Sequence, residues 1–326
     1  MPCYNPLTAW KVDGQIVFNK PSGSHGLLKP FNLPCSKCIG CRMNYARSWA
    51  LRCELESKQH KDNCFITLTF SPEELEKRKN PWSVDVNDFQ LFMKRLRKRI
   101  KKPIQFFHCG EYGEKNYRPH YHALIFGHDF RISSSKNTVK KYGSDKYPLY
   151  QSSELTKYDE NGNIIGGLWP FGHSTVGELN FDTASYTARY VTKKIKGADA
   201  TMIHIDSLTN KVSVINDVYC TMSRANAIGK KHYEYYQRKL NNIYPNDYIV
   251  NGNGVRMKPP RYFDKLYEQD MIDAGTPEKW TAIKNRRKAE LDYLDMNPRD
   301  PKTKRIKDIE NVKLLKLKEV LRELDA

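Results

Sequence analysis

Residues 118–127 read RPHYHALIFG, and they place two histidines one residue apart on an apolar stretch. Side chains on a strand alternate between faces, so His120, His122, Leu124 and Phe126 share one row while Tyr121, Ala123 and Ile125 share the other. Two imidazoles side by side on one rigid face pack a core poorly and hold a metal ion well. Nine residues before His120, at the end of another strand-like run (104–109), stands Glu111, an oxygen ligand that could complete a three-ligand set. The plain alternative is a pair of surface histidines on an edge strand.

The rest of the chain bears on that choice. Its 326 residues are enough for one large or two modest domains. Lys and Arg number 55 against 37 Asp and Glu, a net charge of +18 that points to a polyanion, nucleic acid first. The charge is clustered: residues 94–102 read KRLRKRIKK, with no acid among them. Twenty tyrosines and 13 phenylalanines suit stacking on unpaired bases as well as packing. No apolar run approaches a membrane span, and the first residues (MPCYNPLTAW) lack the charged-then-apolar pattern of a secretory leader, so a soluble, intracellular protein is expected.

Cys35, Cys38 and Cys41 form a C-x2-C-x2-C run, with Cys3 upstream. Thiolates at this spacing share one ion, usually Zn²⁺ when four ligands are present. Cys3 is the expected fourth ligand, with His25 or Cys53 as substitutes. The Cys-Pro that would complete an iron–sulfur pattern is missing, and three unligated thiols at a turn are the plain reading.

Three segments are expected. Residues 1–60 form a cysteine-bearing N-terminal segment with a helix over 42–59. Residues 61–275 form the main domain, with a polar insertion at about 128–165. Residues 276–326 form a basic helical tail ending in an amphipathic, leucine-rich stretch. Within the main domain, 63–70 (NCFITLTF) reads as a buried strand and 104–109 and 119–126 as two more, joined by a turn over 111–118. Between 85 and 100, Phe89, Phe92, Met93, Leu96 and Ile100 recur at helical spacing, which makes an amphipathic helix whose polar face carries the basic cluster. Residues 166–180 are expected to return one or two strands.

Residues 182–197 read DTASYTARYVTKKIKG. Asp182 would cap the start and Gly197 close the end of a helix. Ala184, Ala188, Val191 and Ile195 lie along one stripe, its packing face. Tyr186 and Tyr190 lie one turn apart, about 200° round from that stripe, with Lys193 and Lys194 on the next turn. Such a pair is commonly packing. Beside a metal site and a basic groove it is also a pair of nucleophiles, because a cation on a target phosphate and a nearby lysine stabilise the charge that develops when a phenol attacks phosphorus.

The strand ending in ITLTF, the His-hydrophobic-His strand preceded by Glu, and the Tyr-x3-Tyr-x2-Lys helix occur in that order. Together they resemble the HUH single-strand DNA endonucleases that initiate rolling-circle replication. With PCSKCIGCR (34–42), CGEYG (109–113), TMSRANAIG (221–229) and PPRY (259–262), the pattern resembles most the replication initiation proteins of the microviruses, in their gokushovirus branch. The likeness covers roughly residues 1–270 and lies in the combination of motifs rather than in any one of them.

The resemblance implies an α+β HUH fold: a central antiparallel sheet, ferredoxin-like or RNA-recognition-like, flanked by helices and braced by the zinc-binding N-terminal segment. His120, His122 and Glu111 would bind one Mg²⁺ or Mn²⁺. Tyr186 or Tyr190 would attack the origin strand, leaving a 5′-phosphotyrosine link and a free 3′-OH that primes a host DNA polymerase. Lys193, then Lys194, would be the phosphate-side cation. Lys94, Arg95, Arg97, Lys98 and Arg118 would contact the single-stranded DNA origin. No G-x4-G-K-[ST] run is present, so strand separation would fall to a host helicase, in the cytoplasm of the bacterial host. Two other readings remain: an HUH relaxase or transposase of a mobile element, and a non-enzymatic, zinc-braced protein that binds single-stranded DNA.

Overall fold

The computed structural model describes residues 3–22, 28–113, 117–133, 141–143, 147–193, 202–205, 212–276, 281–296 and 308–316. The chain divides into two compact units. One comprises 49–235 with 251–255, the other 1–48 with 236–250 and 256–325, so the expected 61–275 block contributes to both.

The larger unit is built on a seven-stranded sheet. Its strands, numbered along the chain, are β1 (Asn63–Thr69), β2 (Gln105–Tyr112), β3 (Pro119–Phe126), β4 (Lys141–Gly143), β5 (Pro148–Tyr150), β6 (Ser174–Gly177) and β7 (Tyr219–Met222). They lie in the order β7-β2-β3-β1-β6-β5-β4, and every neighbouring pair is antiparallel. The architecture is α+β around a central antiparallel sheet. β3 sits between β1 and β2, which therefore run parallel to each other and are joined by a crossover containing helix α2 (Val86–Ile100); helix α1 (Ile39–Ser57) precedes β1 and α3 (Phe181–Lys193) follows β6. The expected insertion is partly absorbed into the sheet, because β4 and β5 extend its far edge. The remainder includes a short hairpin, Lys157–Tyr158 against Ile164–Gly166.

The alternation read from residues 119–126 appears as two packed faces. Tyr121, Ala123 and Ile125 of β3 join Cys64, Ile66 and Leu68 of β1 in a core with Phe89, Phe92, Met93 and Leu96 of α2. Asp85 caps α2 by accepting from Asn87 N at 2.9 Å, and its own N–H donates to Tyr121 Oη, which in turn donates to Asp88. The buried phenol thus fixes the first turn of α2 to the middle of the sheet with its hydroxyl satisfied. On β2, His108 is fully buried, stacked 3.6 Å from Phe89 and bonded through Nδ1 to Thr221.

In the second unit, Leu7–Val12 pairs with both Gln15–Val17 and Phe31–Leu33. Helices Arg261–Asp273 and Thr281–Met296 follow, the first contributing buried Asp264, whose carboxylate accepts from Tyr244 Oη (2.8 Å) and Arg286 (2.7 Å). Helix α1 begins three residues earlier than expected. Of the leucine-rich tail, 308–316 is helical and the rest lies outside the described residues.

Burial pushes His108 well below its ordinary pKa of 6.5 and brings His232 down to about 4. Both are neutral in the folded protein at pH 5 and charged in the unfolded chain, so unfolding takes up protons and stability falls as pH drops below about 6.5. The urea midpoint of metal-free protein is expected to decline between pH 6.5 and 4, and to decline less in His232→Gln.

Candidate active site

The register of three strands assembles the site. Glu111 of β2 lies opposite His120 of β3, and Thr67 and Thr69 of β1 lie opposite His122 and His120 from the other side. Glu111 is therefore on the strand, not in the turn where the sequence placed it: β2 runs three residues further, to Tyr112. The histidines are on a central strand, which removes the edge-strand reading. One ligand atom from each of Glu111, His120 and His122 falls within 4.8 Å of the others.

The side chains of this cluster are held in place by their neighbours. His122 Nε2 is 2.7 Å from Glu111 Oε1, and its Nδ1 is 2.9 Å from Thr67 Oγ1. Without a cation, Nε2–H donates to the carboxylate and the threonine hydroxyl donates to Nδ1. With a cation on Nε2, the same hydroxyl turns and accepts from Nδ1–H, since a hydroxyl serves in either role. Phe65 stacks on the His122 ring with centroids 5.7 Å apart. Burial, with the charge of His122 next, brings His120 down to about 4, so it is neutral and has a lone pair to offer at pH 7. Gly113 gives the His120 ring its space: a Cβ there would stand 3.0 Å from Cε1. Two imidazoles and a carboxylate, convergent and largely buried, fit a divalent first-row cation or Mg²⁺.

Helix α3 lies over this face. Its start is held by Asn180, whose Oδ1 accepts from Asp182 N and Thr183 N at 3.0 and 2.9 Å, so Asn180 takes the capping role expected of Asp182. Thr183, Ala184, Thr187 and Ala188 are buried, and their small side chains let the helix approach closely. Tyr186 is buried too, with 5% of its surface exposed, rather than on a face opposed to the packing stripe. Covered on both sides of the expected stripe, the helix buries a wider arc than an amphipathic pattern shows. The Tyr186 hydroxyl is 3.5 Å from His122 Nε2 and the two rings meet at right angles. The side chains of Tyr190 and Lys193, and all of Lys194 and Gly197, lie outside the described residues.

The basic helix does not join this cluster. α2 packs on the sheet face opposite the ligands, and Lys94, Arg97 and Lys98 are exposed on its outer side. Arg95 is engaged within the fold: its Nε donates to Leu168 O at 2.9 Å and its guanidinium lies 5.3 Å from the Phe171 ring. Arg118, one residue before β3, is the expected basic contact on the site's own strand pair, and its charge acts on His120.

A second cluster lies in the other unit. Cys3, Cys35, Cys38 and Cys41 bring their sulfurs within 4.8 Å of one another, with no disulfide among them. Backbone N–H groups of Tyr4, Cys35 and Cys38 donate to Cys38, Cys3 and Cys35 sulfurs at 3.2–3.3 Å, an arrangement that stabilises thiolates around an ion. Cys3 is thus the fourth member. Cys53, a candidate substitute, is buried in the larger unit, and His25 is outside the described residues.

A family model for the replication-associated protein ORF2/G2P matches residues 63–195, the span from β1 through α3. The chain is 33% identical to replication-associated protein VP4 of Bdellovibrio phage phiMH2K over 289 residues, covering 86% of this chain and 80% of that one. This chain belongs to the replication-associated proteins of the microviruses. Replication-associated protein ORF2 of Spiroplasma virus 4 is 30% identical, over 84% of this chain and 82% of its own length, and ORF4 of Chlamydia phage 1 is 27% identical over 82% and 62%. No solved structure matches. Among the described residues, no helix is long and apolar enough to cross a membrane. What sequence reasoning missed in this replication-associated protein is Thr67, whose contact with His122 depends on strand register; the threonines of ITLTF were its only trace.

Thr67→Val keeps the shape and removes the hydroxyl. Mn²⁺ affinity, measured by isothermal titration calorimetry, is expected to fall about 10–100-fold, and Thr67→Ser to restore most of it.

Proposed function

We propose that this protein initiates rolling-circle replication of a phage genome by cutting and later rejoining single-stranded DNA at the origin, as a tyrosine endonuclease with an HUH fold. The observation that carries the reading is the Tyr186 hydroxyl, 3.5 Å from His122 Nε2 at the edge of the Glu111–His120–His122 cluster, in a chain of this family. The split β1-α2-β2 unit with β3 inserted is the arrangement expected of that fold.

Mg²⁺ or Mn²⁺ held by Glu111, His120 and His122 would supply Lewis acidity to the scissile phosphate. Tyr186 Oη bonds to phosphorus as the bond to the 3′-oxygen breaks, and the phenol's proton is released for that oxygen. That oxygen takes a proton to become the 3′-OH, and the phosphate remains as a 5′-phosphotyrosine. Because an ester replaces an ester, a later 3′-OH attacks the link and closes the circle without a nucleotide cofactor. Glu111 and Thr67 hold His122 in place, and the covering helix limits the water that could hydrolyse the link. Tyr190, four residues and one turn along α3, is the second nucleophile, able to cut a regenerated origin while the first link persists. Lys193 or Lys194 supplies positive charge to the phosphate, with Arg118 on the strand side. The 3′-OH primes a host polymerase, and a host helicase opens the duplex, in the bacterial cytoplasm. The phage origin of the relatives favours this reading over plasmid transfer or transposition.

Incubation with an origin oligonucleotide and Mn²⁺ is expected to give a nucleotide-modified Tyr186 peptide in mass spectra. Tyr186→Phe should lose the adduct or move it to Tyr190, and the double Phe variant should bind DNA without any adduct. Absence of an adduct from the wild type would leave the non-enzymatic reading.

The four-cysteine cluster holds a structural Zn²⁺ in this reading, since four thiolates with backbone N–H support suit that ion. One zinc per chain is expected by elemental analysis. Cys35→Ser should lose it, and chelation should lower the thermal midpoint of the wild type.

A further inference from the structure

Residues 221–229, TMSRANAIG, are a distinctive motif of the sequence that takes no part in the cluster of Glu111, His120 and His122. In the structure Thr221 and Met222 finish β7, and residues 222–226 form one wall of a groove of about 580 Å³ at the opposite end of β2 from Glu111. The other wall is the C-terminal end of α2 and the link to β2, and the lining includes Arg97, Lys101, Lys102, Phe106, Met222 and Arg224. Six residue steps along β2 lead from Gln105 to Glu111, about 20 Å along the strand.

The groove is built rather than incidental. The turn that carries Arg224 is clamped to the start of β2 by three hydrogen bonds: Phe106 N to Ser223 Oγ at 3.0 Å, Ser223 N to Phe106 O at 3.0 Å, and Gln105 Nε2 to Asn226 O at 2.7 Å. Arg224 itself is exposed. Lys101 is held in the left-handed region, φ 55°, as its N–H closes α2 on Arg97 O. Lys102 lies 3.8 Å from Asp62, the one carboxylate paired with a groove cation among the described residues, and Arg97 sits 5.8 Å from the Phe106 ring. Four cations therefore face one acid, over a floor with an aromatic ring and a methionine. The C-terminal dipole of α2 accounts for cations in its last turn. It does not account for Arg224, which comes from a different part of the chain.

We infer that this groove is a second nucleic-acid contact, which grips the phosphates of single-stranded DNA flanking the cut, about 20 Å along β2 from Glu111 and on the α2 side of the sheet. It rests on the proposed function for its substrate and extends it with a site of its own. The strand is single because the volume suits one or two nucleotides with a base laid toward Phe106, whereas a duplex presents only a convex backbone to so small a cleft. The grip keeps the DNA attached while the reacting end changes hands.

The test is binding alone, by fluorescence anisotropy with full-length protein as purified and no added Mg²⁺ or Mn²⁺, so it reads neither cleavage nor the tyrosines. Probes are single-stranded DNAs of about 6 and about 20 nucleotides and a duplex of the longer length, since contact sites of this kind span about 4–16 nucleotides. Arg224→Glu and Lys101→Glu, with thermal midpoints matching the wild type, are expected to weaken the longer single strand about tenfold or more. The double variant should flatten its salt slope by about 1.4, at roughly 0.7 per lost phosphate contact. The short probe should lose less than the long one. Unchanged affinity and slope for the long strand would overturn the proposal, as would a loss confined to the duplex. Arg224→Lys, which keeps the charge, should bind within about twofold of wild type; if it falls as far as Arg224→Glu, charge is not what the groove supplies.

Discussion

The antiparallel register of β3 between β1 and β2 governs the molecule, because it settles two questions at once. A side chain on a strand belongs to one face, and a slip of one residue exchanges the faces. In the present register Tyr121, Ala123 and Ile125 close the core under α2, while His120 and His122 stand on the other face beside Glu111 and Thr67. Shifted by one, the histidines would enter an apolar core and the tyrosine would lose the hydrogen bonds that hold α2. The apolar core and the Tyr121 hydrogen bonds thus enforce the same pairing that brings Glu111, His120 and His122 together. Stability and site geometry select one register.

The two faces carry different duties. The α2 face is filled with large apolar groups and supplies cohesion. The ligand face is closed by α3 through small residues, so that one tyrosine, and not a continuous apolar contact, meets the histidines. A polar cluster under a helix remains acceptable because its members satisfy each other: Glu111 with His122, His122 with Thr67. Positive charge is correspondingly displaced, with most of the basic helix on the far side of the sheet.

How far the sequence led can be followed residue by residue. The strand over 119–126 and the body of α2 were legible because their periods, two and near four, are undisturbed. The gathering of four cysteines was legible from spacing. Glu111 falls just past the expected strand 104–109, and the glycines that flank it resemble turn residues, whereas Gly110 clears the Tyr219 ring and Gly113 clears His120. That distinction depends on partners distant in sequence. The cap moved from Asp182 to Asn180 because both side chains suit the role and only the path of the preceding strand decides between them. The side of the sheet taken by the basic helix follows from the hand of a crossover, and amphipathicity reports only that a helix has a side. β4 and β5 are three residues each, too short for alternation to announce them.

Gly113 also separates two kinds of constraint that glycine usually combines. Its backbone is not in the left-handed region, so the chain there would accept any residue. What crowds a side chain there is the His120 ring, whose Cε1 lies 3.0 Å from where a Cβ would stand. The position is therefore a steric adjuster: a single methyl group introduced there would tilt one imidazole by a few tenths of an ångström while the sheet, the register and the other two ligand residues stayed as they are. The spacing within the Glu111–His120–His122 cluster is thus adjustable at that one atom, with all three residues of the cluster kept.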